Sequence, residues 1–401
     1  MKKIIILLCI MCPFLCGCTD ATEPETLGYV VAIGIDSAED EDGYNITLQF
    51  ANPSKISGDA ESGGEGGSKS VDDITVLAPG IYPAVNLANH IISKKFVLSH
   101  TKVIVFSDEI AKKGIGEFLE AVGRSSDIRP NTYFTVCEGK AKDFLAAVNP
   151  ETEVNPVRYY TMIFENDYSG FIPQYKSQDF YFYYNSDEKN AVMPICSIKK
   201  DSATPPSDHD GYQEEVPDYI AGEIQTNSKE IQVMGTAIFD GDTKISEIRD
   251  IETEIFNLLS GRYKTSFVSY EFNNEPVTVL QTQRRKPKIT VDTSQSTPKI
   301  SVKLYLEVDL SSGTAESRLE NEAESFSREA EKELKKQTEA FLNKTTELGC
   351  DIVGFGSFAK RNFMTNADFS AYKWKEKYKN AEFDVSVDLS VRRTGLIVRS
   401  K

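Results

Sequence analysis

The chain has 401 residues, 45 basic side chains against 61 acidic ones, a formal net charge of −16, and only three histidines. That balance excludes a nucleic-acid binder, because phosphate contacts need clustered Lys and Arg. It also leaves little material for a histidine-based metal or proton-transfer site, and the length calls for two or three domains.

The N-terminus "LLCIMCPFLCGCTD" holds Cys9, Cys12, Cys16 and Cys18 close together. A metal knuckle is a poor reading, since the intervening residues are Ile, Met, Pro, Phe and Leu, and thiolates need a polar, charged shell. Lys2 and Lys3 followed by an apolar run over Ile4 to Leu15 have the layout of a secretory signal, too short to span a bilayer that needs ~20 residues. Leu15-Cys16-Gly17-Cys18 resembles a bacterial lipobox. Only Cys18 is preceded by a small residue, so Cys18 is the expected site of the diacylglyceryl thioether and of the further N-acyl chain, and 1–17 the expected leader. Two or more acyl chains hold a protein firmly where one does not. Loss of 1–17 removes two lysines and no acid, leaving 384 residues of charge about −18. Afterwards only Cys137, Cys196 and Cys350 remain, too few and too scattered for a disulfide framework, and their spacing does not say whether any two pair.

Residues 27–51 read as a β-hairpin: "LGYVVAIGID" is an apolar strand, "SAEDEDG" the turn, and "YNITLQFA" alternates Tyr44, Ile46, Leu48, Phe50 with polar residues. The acidic turn lacks the calcium-loop spacing, which would put Ala38 at position 1. Residues 57–70 are a flexible Gly/Ser/acid insert and no phosphate loop. From 81 to 150 helices and strands alternate. Helices are expected over 81–92, over "DEIAKKGIGEFLEAVG" (108–123) and over "KAKDFLAAV", a strand buried on both faces over 102–106 and another strand over 131–137. His100 sits at the mouth of the first buried strand beside Ser99. No nucleophile elbow surrounds it, and a hydrogen bond to a strand end is expected.

The Pro-rich, polar stretch 201–227, which contains His209, is the expected linker between an 18–200 region of one or two subdomains and a 228–401 domain. Beyond it, "ISVKLYLEVDL" and "FDVSVDLSV" alternate strictly, as strands of a sheet covered on one side do. Between them, Leu319, Phe326, Ala330, Leu334, Phe341 and Leu348 form a single stripe on a helix over 315–348, expected to pack across that sheet. "VGFGSF" lacks the third glycine and preceding strand of a dinucleotide site. No grouping of residues points to catalysis, a cofactor or a metal. The residues by themselves describe an exported, lipid-anchored α+β protein built for binding or assembly.

The order of these segments resembles the Ger(x)C family of germinant-receptor lipoproteins. The resemblance runs through Gly17-Cys18, "LGYVVAIGID", "YNITLQFANP", the long "KKFVLSHTKVIVFSDEIAKKGIGEFLEAVGRSSDIRPNTYFTVCEGKAKDFL", "IQVMGTAIFDGDTKISEIRDIETEIFNLLSGR", and "GCDIVGFGSF" with the final strand. The chain departs from the family pattern at Thr19–Glu23 and in the 57–70 insert. The resemblance implies a mixed α+β body of two to three domains without enzymatic activity or cofactor. It implies a place on the outer face of the spore inner membrane, and integral-membrane A and B subunits as partners. The alternative is a solute-binding lipoprotein that captures a small nutrient directly, a class that usually has two similar lobes; the halves of this chain differ.

Overall fold

The computed structural model describes residues 23, 26–38, 42–51, 70–148, 153, 155–198, 231–273, 275–312 and 319–393. The leader, Cys18, the 57–70 insert up to residue 69, and the 201–227 segment with His209 lie outside the described residues.

Two sheets organise the chain. The first has nine strands: β1 (Leu27–Ser37), β2 (Tyr44–Ala51), β3 (Val71–Ala78), β4 (Lys95–Val97), β5 (Val103–Ser107), β6 (Tyr133–Cys137), β7 (Val192–Ile198), β8 (Ile231–Asp240) and β9 (Thr243–Ile248). Their order is β3-β2-β1-β5-β6-β7-β8-β9, with β4 beside β1. The hairpin expected over 27–51 is β1–β2, antiparallel with Ser37 opposite Tyr44. β1, β5, β6 and β7 run parallel, as uninterrupted apolar runs buried on both faces do. In β5 every residue is buried, and the two-residue period sends Ile104 and Phe106 to one core and Val103 and Val105 to the other.

The crossovers carry α1 (Ile81–Ala88), α2 (Asp108–Lys113), α3 (Gly116–Gly123), α4 (Ala141–Ala147), α5 (Pro156–Phe164) and α6 (Ser177–Tyr183). The single helix expected over 108–123 is two helices. The chain breaks at Gly114, whose φ of 116° is outside the helical range. The broken turn's amides are taken by the β8–β9 turn: Ile115 N–H donates to the Asp242 carbonyl (3.0 Å) and Gly116 N–H to Asp242 Oδ2 (3.1 Å). His100 also differs from expectation. It is exposed and lies edge-on to Tyr29, ring centroids 5.0 Å apart, without a strand-end hydrogen bond among the described residues.

β8 and β9, which follow the 201–227 segment in sequence, add antiparallel to β7 and complete the first sheet. Then come α7 (Asp250–Ser260) and a five-stranded sheet of β10 (Thr265–Phe272), β11 (Glu275–Gln283), β12 (Lys288–Asp292), β13 (Lys299–Ser312) and β14 (Glu382–Arg393). β13 and β14 are the two alternating segments, paired in parallel from Lys299–Glu382 onward. Between them, α8 (Leu319–Leu348) packs across the sheet, as its stripe demands. Phe326, Ala330, Leu334 and Phe341 are buried, with Phe326 set edge-on to Tyr270 and Phe272, while Leu348 is 36% exposed. Short helices α9 (Phe355–Ala359), α10 (Asn366–Tyr372) and α11 (Trp374–Tyr378) close the end of this layer. Tyr175, Val192, Ile238 and Ile248 of the first sheet's layer belong to the same apolar core as the second sheet. Mixed α+β architecture with a one-sided sheet under a long amphipathic helix is therefore what the chain forms.

Candidate functional site

The motifs of the N-terminal region hold helices onto the first sheet. Asp36, at the end of β1, accepts the amides of Ala141 (2.7 Å) and Lys142 (2.9 Å) at the start of α4. Burial raises its pKa, and the two amides oppose the rise. Gln49 on β2 is fully buried. Its Nε2 donates to the Leu145 carbonyl (2.9 Å) and its Oε1 accepts the Tyr160 hydroxyl (2.5 Å), so one amide ties α4 and α5 to the sheet.

A denser set of contacts fills the seam between the two sheets. Buried Asp351 accepts the backbone amides of Gly354 (2.7 Å), Phe355 (3.0 Å) and Gly356 (2.7 Å) and the indole Nε1 of Trp374 (2.9 Å). The Asp351 carbonyl accepts the amide of Asn190 from the loop before β7 (2.8 Å). In that loop, Glu188 pairs with Lys360 and accepts the Ser357 hydroxyl (2.9 Å). The neighbouring Lys189 is buried, with Nζ 2.7 Å from the Tyr175 hydroxyl and 4.6 Å from the ring centres of both Tyr175 and Tyr183. Arg262 covers the Tyr175 ring at 3.9 Å and grips Asp179 through both terminal nitrogens (2.6 and 3.2 Å). Asn257 Nδ2 donates to the carbonyls of Gly170 (2.8 Å) and Ile172 (3.0 Å). This is the chemistry of a fixed joint: hydrogen-bonded polar groups and stacked rings, with only the side-chain oxygens of Asn190 and Asn257 left buried without a partner.

Elsewhere the chemistry is equally structural. Cys137 and Cys196 lie opposite each other on β6 and β7, free and buried. The neighbouring thiol of Cys196 and burial together push the Cys137 pKa far up, and burial raises Cys350 to about 11. Neutral thiols of this kind are inert. Among the described residues no group of three or more His, Cys, Asp or Glu is placed to hold a metal ion. Glu254 on α7 is a strongly perturbed carboxyl with a cavity beside it. Its Oε1 accepts Ser266 Oγ (3.3 Å) and Gln281 Nε2 (3.2 Å), and burial pushes its pKa up to about 7. The cavity, about 40 Å³, is bordered by Phe171, Tyr270 and Leu334. A wider groove of about 600 Å³ runs between α3 and α6, past Arg124, Tyr181, Tyr184 and Asp242. No helix among the described residues is long and apolar enough to cross a membrane.

With this geometry in hand, two family models match end to end: the spore germination protein N-terminal domain over residues 20–198, and the spore germination B3/GerAC-like C-terminal domain over residues 234–395. The chain belongs to the GerAC-like spore germination family. It is 24% identical to spore germination protein KC of Bacillus subtilis, covering 95% of this chain and 92% of that one. It is 22% identical to the putative spore germination protein YfkR of the same organism, over 100% of this chain and 99% of the relative. It is 19% identical to spore germination protein GerQC of Bacillus cereus over 75% and 76%. The crystal structure of the GerBC protein superposes with a TM-score of 0.55 at 13% identity, over 90% of this chain and 96% of that one, which establishes a shared fold.

The GerAC-like motifs thus map mainly onto structural anchors. Sequence reasoning passed over Lys189, Arg262 and Asn257, because a single buried cation or amide carries no spacing signal. Asp351 stands in the sequence only within the family-like stretch "GCDIVGFGSF", where an aspartate three and five residues before two glycines is the available clue. The expected lipid site, Cys18, lies outside the described residues.

Proposed function

We propose that this chain is the lipid-anchored, non-enzymatic subunit of a spore nutrient germinant receptor. Cys18 carries the acyl chains on the outer face of the spore inner membrane, and the folded body assembles with an integral-membrane A subunit and a permease-like B subunit. The observation that carries this reading is the match of both halves of the chain to the two GerAC-like domains. Supporting it are the lipobox ending at Cys18 and the absence of a membrane-crossing helix among the described residues. A body whose motif residues are spent on joints, with its described thiols buried and neutral, suits a subunit that transmits contact better than one that performs chemistry. Affinity purification of the tagged chain from spores tests the proposal. Recovery of A and B subunits in constant ratio is expected, and recovery as a lone lipoprotein overturns it.

The rival reading, a solute-binding lipoprotein, would use the groove between α3 and α6. Calorimetry with amino acids, sugars and nucleosides separates the two. Tight stoichiometric binding to the isolated chain, abolished by Tyr184→Ala, would favour the rival.

A further inference from the structure

The chain enters the fold at β1, and a group of basic side chains surrounds that entry. Leu27, Gly28 and Tyr29 pair in parallel with Lys95, Phe96 and Val97 of β4. Gly28 has no room for a side chain there, since a Cβ would lie 2.8 Å from Phe96 Cδ1, and Phe96 in turn packs edge-on against Phe50. The turn from α1 into β4 is held by its own hydrogen bonds, with Asn89 Oδ1 accepting the Phe96 amide (2.9 Å). That rigid turn presents Ile91, 74% exposed, and then Lys94 and Lys95. Beside it, Lys102 and Arg129 lie close enough to His100 to help burial lower its pKa, and His100 sits on Tyr29.

Among the described residues none of Lys94, Lys95, Lys102 or Arg129 is in an ion pair. The acids at this end include Glu23, exposed just before β1, Asp72 of β3 opposite Phe50, Asp127, exposed two residues from Arg129, and Glu165, already held by Lys176 (2.7 Å) and the Tyr133 hydroxyl (2.7 Å). A chain of net charge −16 therefore concentrates unpaired cations and an exposed isoleucine where its N-terminal tether begins.

We infer that this end of the first sheet, built from Ile91, Lys94, Lys95, Lys102 and Arg129, is a membrane-contact surface that rests on anionic phospholipid headgroups. The inference builds on the reading of Cys18 as the lipid anchor. From Cys18 to Leu27 the chain has nine residue steps, a reach of at most ~30 Å. Any conformation of the tether thus keeps this end of the sheet near the bilayer. Charge complementarity supplies the occupant: exposed Lys and Arg are drawn to an anionic leaflet within a Debye length, about 8–10 Å at physiological salt, while an acidic body is repelled. The patch accordingly sets which end of the body faces the membrane, and the isoleucine adds an apolar contact at the interface.

The test uses the full mature lipidated chain in vesicles. Ile91→Cys is labelled with an environment-sensitive fluorophore under native conditions, in which Cys137, Cys196 and Cys350 are buried. Asp42→Cys, in the turn at the opposite end of β1 and ~30 Å away for a strand of this length, is the control. Flotation with vesicles reports the anchor, and a headgroup-borne quencher reports the orientation. In phosphatidylglycerol-containing vesicles, quenching at position 91 should exceed that at position 42 by at least about twofold and fall at high salt. It should also fall in the Lys94→Glu/Lys95→Glu variant, which should still float and keep its circular dichroism spectrum. Floating protein with equal quenching at both positions, or with quenching at 91 that appears only when the A and B subunits are added, overturns the membrane-contact surface. Failure to float overturns the Cys18 anchor instead.

Discussion

Asp351 Oδ2 accepts the indole Nε1 of Trp374 at 2.9 Å, while the same carboxylate collects three successive backbone amides. Both residues are buried, so the four donors have no water to turn to. Asp351→Asn places an NH₂ group against these donors and leaves at least one unsatisfied. Such a loss costs about 1–3 kcal/mol per orphaned group, and disruption of the whole nest is expected to lower the unfolding free energy by about 3 kcal/mol or more. Urea unfolding followed by Trp374 fluorescence measures it. A loss under about 1 kcal/mol would mean that the nest is not a structural anchor.

Gly356 belongs to the same joint for a steric reason. A Cβ at this position would stand 2.3 Å from the Glu188 carbonyl oxygen and 2.7 Å from the Trp374 ring. The Glu188 backbone belongs to the loop leading into the first sheet, so relief requires the two layers to separate. Gly356→Ala is predicted to destabilise by at least ~2 kcal/mol and to increase proteolysis in the 184–191 loop. Limited proteolysis that leaves this loop as resistant as in the parent chain would contradict the prediction.

The elements that could be read from sequence are those whose signal is local. Val103 to Phe106 announces a doubly buried strand because four adjacent apolar residues leave no wet face. The α8 stripe announces its packing because helical spacing keeps Phe326, Ala330, Leu334 and Phe341 on one side. The break at Gly114 was hidden because its cause, Asp242, lies more than a hundred residues downstream. The addition of β8 and β9 to the first sheet was hidden for the same reason. So was the joint: Lys189, Arg262 and Asp351 acquire meaning only when distant segments meet.

Arg262 shows how much of that joint depends on geometry instead of charge. Its guanidinium lies flat on Tyr175 at 3.9 Å and makes two bonds to Asp179. Lysine keeps the charge but loses the flat face and the paired donors. Arg262→Lys is therefore expected to cost about 1–2 kcal/mol, and Asp179→Ala, which also removes the acceptor of the Lys176 amide, should cost less in the Arg262→Lys background than in the parent. A double-mutant cycle on thermal or urea unfolding gives the coupling. Full retention of stability in Arg262→Lys would assign the contact to charge alone.

Cys18 carries the anchor prediction. On the proposed lipoprotein reading, acylation at its sulfur is the step that the lipobox directs, and Cys18→Ala would remove the thioether and block the processing that depends on it. The variant should leave the membrane fraction or accumulate with its leader attached, whereas Cys16→Ala should fractionate as the parent does. Normal membrane fractionation of a processed Cys18→Ala chain would dispose of the lipoprotein reading.

Glu254 makes stability depend on pH, and the sign follows from its burial. The carboxyl is held at a pKa of about 7 against an ordinary 4.5, because the charged form is desolvated and the hydrogen bonds it accepts only partly offset this. Below pH 4.5 both folded and unfolded states hold the proton, and Glu254 adds no pH dependence. Between the two values the unfolded state releases the proton while the folded state keeps it, so stability falls as pH rises, levelling off above about 7. The span corresponds to about 3 kcal/mol at 1.36 kcal/mol per pKa unit. Asp36 and Asp351, whose pKa values burial also raises, tilt the profile the same way and remain in the comparison chain. Glu254→Gln cannot ionise and still meets Ser266 and Gln281. It should match the parent near pH 4.5 and exceed it by up to about 3 kcal/mol at pH 8. Urea unfolding of both chains across this range decides the matter: converging curves at low pH and a gap that opens toward neutrality support a buried, proton-holding Glu254, and parallel curves refute it.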